Sequence, residues 1–170
     1  MRYSILAVLM ACAVLVSATA SYAVAEDMTF QPRGRALVTG VEARDEAWDF
    51  ITNLFITNVS ESDVTCRVTV YDHDGKDVSS LCNVFTGNRI GAPVQLRAGN
   101  GSFALPPGAT RMVRIWAQGM VPVVFGHAVI EWTAADAQTD KALIAAIKTV
   151  RSGGGGTYGF MSQVNGGQPF

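Results

Sequence analysis

The sequence predicts an all-β protein, an antiparallel β-sandwich of the immunoglobulin-like or jelly-roll-like kind. Short runs rich in β-branched and aromatic residues recur along the chain, and clusters of Gly, Pro, Asn and Asp separate them. This rhythm is typical of sandwiches and barrels. The region 37–170 has the length of one domain with a single core. The expected strands are Trp48–Asn58, Val64–Asp72, Val78–Thr86, Ser102–Leu105, Thr110–Trp116 and Val121–Thr133.

The N-terminus predicts a signal peptide over residues 1–25. Arg2 precedes the apolar run Ile5–Val16, and the small residues Ala23-Val24-Ala25 form a cleavage pattern. The apolar run is shorter than the roughly 20 residues that a transmembrane helix needs. We therefore expect a protein exported to the periplasm, the cell surface or the medium, with no transmembrane anchor after cleavage. An uncleaved anchor and a lipoprotein modified at Cys12 are the alternatives.

Residues 26–36 are polar and contain Pro32 and Gly34, so we expect a flexible leader there. The chain carries 14 acidic and 13 basic residues, and its formal net charge is −1. No block of Lys and Arg occurs in the sequence. Nucleic-acid binding depends on clustered positive charge, so no nucleic-acid partner is expected.

The segment Asp72–Lys76 predicts a β-hairpin with a three-residue loop, in which Gly75 takes the left-handed conformation. If that register continues, Cys66 lies opposite Cys82 with about 5.5 Å between the Cα atoms. This separation permits a disulfide, and an even number of cysteines in an exported chain favours one. The sequence therefore predicts the disulfide Cys66–Cys82. Two buried free thiols, or a slipped register, are the alternatives.

Three aspartates surround the same turn. Asp72, Asp74 and Asp77 flank Gly75, and a loop of this kind can hold Ca²⁺ through carboxylate oxygens. Lys76 occupies the next alternating ligand position, and a solvated hairpin turn explains the same residues. We therefore expect no cofactor, with a calcium site as the alternative.

His127 and Glu131 are four residues apart in a predicted strand, so both side chains point to one face. Together with another carboxylate they have the residue types of an acid–base or zinc site. No metalloprotease or nucleophile-elbow motif accompanies them. We expect a protein that is not an enzyme, and a hydrolase or metal-dependent enzyme built on this pair is the third hypothesis.

Aromatic residues suggest a different function. Trp116, Trp132 and Tyr158 lie in predicted strands, where aromatic side chains stack on sugar rings or pack a core. Stacking would make the protein a carbohydrate-binding module, with a glycan as its partner. Core packing explains the same residues.

The C-terminal third permits two structures. The spacing of apolar residues within 137–150 suits a helix, with Gly153 as its end. The Gly-rich run Ser152–Gly156 is instead followed by Thr157–Val164, which alternates like a strand. We favour a terminal hairpin and keep a single helix around 137–150 as the alternative. The remaining tail either frays or docks.

Five short motifs lie within 54–151. They are Ile56-Thr57-Asn58, Val68-Thr69-Val70-Tyr71, Leu105-Pro106-Pro107-Gly108-Ala109-Thr110, Val121-Pro122-Val123-Val124 with His127, and Ala142-Leu143-Ile144. With these motifs the chain resembles the bacterial sensory rhodopsin transducer family and related small β-sandwich proteins. The resemblance implies a sandwich fold and a role as an oligomeric binding or scaffolding module.

These observations together favour an exported, non-enzymatic β-sandwich that contacts proteins or assembles with itself. Exposed strand edges provide the means, because their unpaired backbone groups accept another strand.

Overall fold

The computed structural model describes residues 30–44, 49–117, 123–153 and 155–170. Two antiparallel sheets pack together around one core, which confirms the predicted all-β sandwich. Residues Gln31–Phe170 belong to one compact unit. No helix among the described residues has the length and apolarity to cross a bilayer. The predicted signal peptide, Trp48 and the start of the strand predicted at Val121 lie outside these residues.

The described residues form ten strands. One sheet has the strand order β1-β8-β3-β6, and the other has the order β10-β9-β2-β7-β4-β5. Two short 3-10 turns, Ser79–Leu81 and Val164–Gly167, connect or follow strands. The strands are β1 (Gly34–Ala43), β2 (Asp49–Asn58), β3 (Val64–Tyr71), β4 (Cys82–Thr86), β5 (Val94–Ala98), β6 (Ser102–Leu105), β7 (Thr110–Ile115), β8 (Val124–Ala134), β9 (Leu143–Gly153) and β10 (Gly156–Gln163).

The core lies between the inward faces of the central strands. These strands alternate between apolar residues that are fully buried and polar residues on the outside, because successive side chains of a strand point to opposite faces. Removing such apolar surface from water stabilises by roughly 25 cal/mol per Å². The largest enclosed apolar side chains are Trp132, Leu54, Ile56, Leu105, Ile115, Ile130 and Leu143.

The prediction of a flexible leader over residues 26–36 is wrong at its C-terminal end, where the chain already forms a strand. Strand β1 begins at Gly34, and the Arg33 amide already donates a hydrogen bond to the Trp132 carbonyl at 2.8 Å. The sequence predicts a loop residue at Gly34, but a Cβ there would lie 2.3 Å from Trp132 Nε1. The glycine is therefore required by close packing on the indole.

The tight turn after β3 forms as predicted. Gly75 has a φ of 78°, in the left-handed region. The Asp72 amide donates to the Lys76 carbonyl at 3.0 Å, and the Val78 amide donates to the Val70 carbonyl at 2.8 Å. The predicted register is thus correct next to the turn.

The predicted register fails beyond Val78, and with it the geometric argument for a disulfide. Cys66 lies on β3 in the four-stranded sheet, where its cross-strand neighbours are Phe103 and Trp132. Cys82 lies on β4 in the six-stranded sheet, opposite Ile115. Both thiols are free and buried. The predicted pairing of Cys66 with Cys82 across one sheet is wrong.

The physical reason lies in the turn Ser79–Leu81. The Val70 amide donates to the Ser79 hydroxyl at 2.9 Å, so the Ser79 side chain replaces the backbone carbonyl that a paired strand would provide. The chain then crosses to the other sheet, and β6 occupies the edge of β3 that β4 was expected to fill. One buried serine therefore ends the hairpin after a few pairs.

The C-terminal third forms a hairpin, and the alternative helix around 137–150 is wrong. Strand β9 pairs with β2 on one side and with β10 on the other, with Gly153 opposite Gly156. The structure buries Leu143, Ala145 and Thr149, which are two and four positions apart. Such even spacing is expected of one face of a strand. Sheet packing therefore overrides the helical tendency of this alanine-rich segment.

The tail docks against the core. The Phe170 amide donates to the Leu143 carbonyl at 3.0 Å, and the Phe170 oxygen accepts from the Ala142 and Leu143 amides. The same oxygen accepts the indole N–H of Trp132 at 2.8 Å. Val164 is buried, which fixes the start of the tail.

Asn58 connects three segments from inside the protein. Its side-chain amide nitrogen donates to the carbonyls of Ser62 and Leu105, each at 2.8 Å. Its side-chain oxygen accepts from the amide and the hydroxyl of Ser60. Asn58 is fully buried, and both donors and both acceptor sites of its amide are used.

Replacing Asn58 with alanine should therefore destabilise the protein by about 2–4 kcal/mol, because buried carbonyl and amide groups would lose their partners. Chemical denaturation of Asn58→Ala measures this loss in the free energy of unfolding. Asn100→Ala, at an exposed asparagine, should leave it within about 0.5 kcal/mol. Equal stability of the two variants would contradict the assignment.

The buried thiols give a second prediction. Burial raises the pKa of the Cys82 thiol from 9.0 to about 12, and burial also raises the pKa of Cys66. The folded state thus holds the neutral thiols more firmly than the unfolded chain does. Their contribution to stability is complete below pH 9 and is lost as the pH rises towards about 12.

We expect the free energy of unfolding to fall more steeply above pH 9 in the natural chain than in Cys82→Ala. Thiol reagents should not react with Cys66 or Cys82 in the native protein and should react with both after unfolding. If the unfolded, unreduced protein presented no reactive thiol, a disulfide would be present and the assignment of free thiols would be incorrect.

Candidate functional site

The two sheets differ in width, so that among the described residues one side of the larger sheet has no strand opposite it. The six-stranded sheet ends at β10, whereas the four-stranded sheet ends at β1. Every residue of β10 after Gly156 is exposed. Tyr158, Phe160 and Met161 are exposed by 67%, 59% and 59%. We call the side formed by β1 and β10 the lateral edge.

None of the ten described strands lies opposite the inward face of β10. Phe160 lies opposite Thr149 and Ser162 lies opposite Ile147, and these partners on β9 belong to the core side of the sheet. Tyr158 shares that face two residues earlier, whereas Met161 points to the outside. Aromatic rings therefore project towards the place where a fifth strand of the smaller sheet would lie.

A groove of about 320 Å³ occupies this place. It is lined by residues 37–40 of β1, by Ile147 and Thr149 of β9, and by Phe160 with residues 162–165. The Leu37 side chain itself points to the outer face of β1, since its neighbours Ala36 and Val38 are buried. The groove thus combines the ring of Phe160 with polar side chains and the edge of a strand.

An ion pair fixes the geometry at one end of the lateral edge. The Arg151 guanidinium on β9 contacts the Glu42 carboxylate on β1 at 2.8 Å, and so connects the two sheets. The same guanidinium lies 4.8 Å from the ring centre of Phe50 and 5.9 Å from that of Phe160. A partly exposed pair of this kind contributes at most about 1 kcal/mol. Its main effect is to orient the rings.

The sheet edges differ in how they are protected against added strands. Natural edges are protected by shortness, bulges, charge or proline. Strand β6 has four residues. Strand β5 is irregular in register and contains Arg97, and β1 contains Arg35 and a bulge at Gly40. Strand β10 has eight residues and a continuous register, with no charged residue and no proline. It has none of these protections.

The sequence singled out other residues, and the structure places them elsewhere. His127 and Glu131 share the outer face of β8, as predicted. Glu131 pairs with Arg67 at 2.8 Å, and the His127 ring stacks on Tyr71 with 5.1 Å between ring centres. Within the described part of the chain, His127 has no hydrogen bond to a carboxylate. The two side chains are not brought together on one substrate position, and catalysis at this pair remains a hypothesis.

The aspartates of the turn hold the backbone. Asp72 Oδ1 accepts from the amides of Lys76 and Asp74, at 2.9 and 3.0 Å. The Lys76 amide is the main reason why the pKa of Asp72 lies below its ordinary value. Asp77 Oδ1 accepts from the Ser79 amide at 2.8 Å. Among the described residues, no three metal-ligating side chains form a group, and the calcium site remains untested.

Of the three predicted stacking residues, Tyr158 alone is exposed. Trp132 is completely buried and its indole donates to Phe170, so the prediction of a stacking platform there is wrong. The reason is that β8 is flanked by β1 and β3 and its even-numbered residues face the core. Trp116 is half-buried at the end of β7. A glycan site remains a hypothesis that rests on Trp116 and Tyr158.

Sequence reasoning missed that Phe160 and Met161 belong to the same exposed strand as Tyr158. A signal was available, because Thr157–Gln163 alternates without a single charged residue. Most exposed strands carry charge on at least one face. An uncharged alternating segment next to a Gly-rich loop is therefore a feature of an unprotected edge.

Comparison with known proteins adds little. No protein family matches the chain, and no curated protein is similar to it. A crystal structure described as that of Thermotoga maritima 1070 has 9% sequence identity and a TM-score of 0.44, over 79% of this chain and 95% of that chain. Values this low establish neither a common fold nor a common function. The resemblance to sensory rhodopsin transducers remains a prediction.

The packing of Gly34 on Trp132 gives a testable result. Gly34→Ala forces the indole away from Phe170, since the new Cβ would collide with Trp132 Nε1. We expect a loss of about 2–4 kcal/mol in the free energy of unfolding. In Gly159→Ala the nearest atom is 3.5 Å away, an ordinary contact, so stability should change little. A Gly34→Ala variant as stable as Gly159→Ala would refute the close packing.

Proposed function

We propose that this chain is an exported, non-enzymatic β-sandwich that binds an extended polypeptide segment at the lateral edge. The observation that carries the proposal is the unprotected edge of β10. Its outward backbone N–H and C=O groups can accept a strand, and main-chain hydrogen bonds are the source of affinity in that mode of recognition.

The exposed side chains favour a particular kind of segment. Tyr158 and Phe160 lie two residues apart on one face of β10, and Phe160 lines the groove. Alternate apolar residues of an added strand would meet these side chains. Since β10 carries no charge, an uncharged segment with alternating apolar and polar residues is the best match.

The sequence supports export through its predicted signal peptide. Strand addition needs no cofactor and no catalytic group. Protein contact therefore uses the features that the lateral edge has, whereas the enzyme hypothesis depends on His127 and Glu131, which are engaged with Tyr71 and Arg67.

Selection of short random peptides displayed on phage, against the exported form of the chain, tests the proposal. We expect enrichment of peptides with alternating apolar and polar residues. Phe160→Lys should abolish the enrichment, because it removes an apolar contact and places a charge on the edge strand. The variant should fold, since Phe160 is 59% exposed.

Leu96→Lys is the matched control. Leu96 is exposed by 49% on β5, the opposite edge of the same sheet. Peptides that bind the lateral edge should bind this variant as well as the natural chain. No enrichment on the natural chain, or binding that Phe160→Lys leaves intact, would refute the proposal.

A further inference from the structure

We infer that the strand accepted by β10 is β10 of a second copy of this chain, paired antiparallel about a two-fold axis. This inference rests on the proposed function and specifies the partner. The two six-stranded sheets would join into one continuous sheet. Isologous contacts of this kind are the commonest way in which identical chains associate.

The absence of charge on β10 permits this self-pairing. A charged residue facing itself or its own kind across a two-fold axis is destabilising, and β10 has none. The nearest cation on the outer face is Lys148, opposite Met161 on β9. Three strand spacings, about 14 Å, would separate the β9 strands that carry Lys148 and its equivalent. The two cations are therefore farther apart than the screening length at physiological salt.

The sequence of β10 favours one register. An axis perpendicular to the sheet keeps the inward faces of both copies on the same side. If Gly159 lies opposite Gly159 of the second copy, Tyr158 lies opposite Phe160 twice. A register shifted by two residues would place Phe160 opposite itself and Tyr158 opposite Ser162. The first register forms two cross-strand aromatic pairs, which are the more favourable contacts.

The space around β10 accepts these pairs. Both aromatic side chains are largely exposed, and the groove beside Phe160 is open. A Cβ added at Gly159 would make only ordinary contacts, so the middle of the strand is not crowded. Self-pairing would therefore cover the exposed rings without moving the core.

Replacing the two aromatic residues of β10 with opposite charges tests both the partner and the register. Light scattering after size exclusion should give the mass of a dimer for the exported chain. Tyr158→Glu and Phe160→Lys should each weaken the dimer by at least about tenfold, because each removes two aromatic pairs. Mixed together, the two variants should form a heterodimer, since the introduced glutamate would lie opposite the introduced lysine.

Cross-linking gives an independent measurement. Gly159→Cys should form an intermolecular disulfide on mild oxidation, since two-fold pairing brings this position next to itself. Thr157→Cys is the matched control, because position 157 would lie opposite Met161 and should not cross-link. The natural cysteines contribute little background, since both are buried.

The outcomes separate this inference from the proposed function. The protein could be a monomer at every concentration and still enrich peptides in a way that Phe160→Lys abolishes. This result would overturn the pairing of β10 with a second copy and would support peptide binding at the lateral edge. A dimer that withstands Phe160→Lys and is lost in Leu96→Lys would place the contact at β5 and overturn the inference. Failure of both the peptide selection and self-association would overturn both proposals.

Discussion

The packing of a four-stranded sheet on a six-stranded sheet determines how the rest of the structure is used. The inward faces of the central strands of the wider sheet are covered by the smaller sheet, and they form the core. The ion pair between Glu42 and Arg151 connects the sheets where the smaller one stops. Beyond that line, β10 continues the larger sheet, and no strand of the part that the structure describes lies opposite it. The exposed aromatic rings and the groove both follow from this difference in width.

Local chemistry predicted more of the fold than of the site. The alternation of apolar residues is sufficient to predict strands β2, β3, β6 and β7, because each has a buried face. Gly75 predicted its turn for a stereochemical reason. The register failed after Val78, since nothing short-range distinguishes a long hairpin from one that Ser79 ends by bonding to Val70. Strand β1 was only partly recognised, because Gly34 has the appearance of a loop residue until its neighbour Trp132 is known.

The candidate site depends on information that no single segment contains. Whether Tyr158 and Phe160 pack a core or face solvent is decided by the number of strands in the opposite sheet, and that number is a property of the whole chain. Trp132 shows the converse, since it has the same residue type as a sugar-stacking platform and is enclosed by two neighbouring strands. Residue type at an aromatic position therefore predicted membership of a strand and did not predict exposure.

The position of β10 at the edge of the larger sheet has a consequence for the dynamics of the chain. Of the described strands, β10 pairs only with β9, and none of its residues is buried. Its detachment would expose little additional apolar surface, so local opening there should need far less free energy than global unfolding. Amide hydrogens of β10 should then exchange with solvent well before those of β2, which lies between β7 and β9. The tail that follows β10 stays docked through Val164 and Phe170, so β10 would open as a segment that is held at both ends.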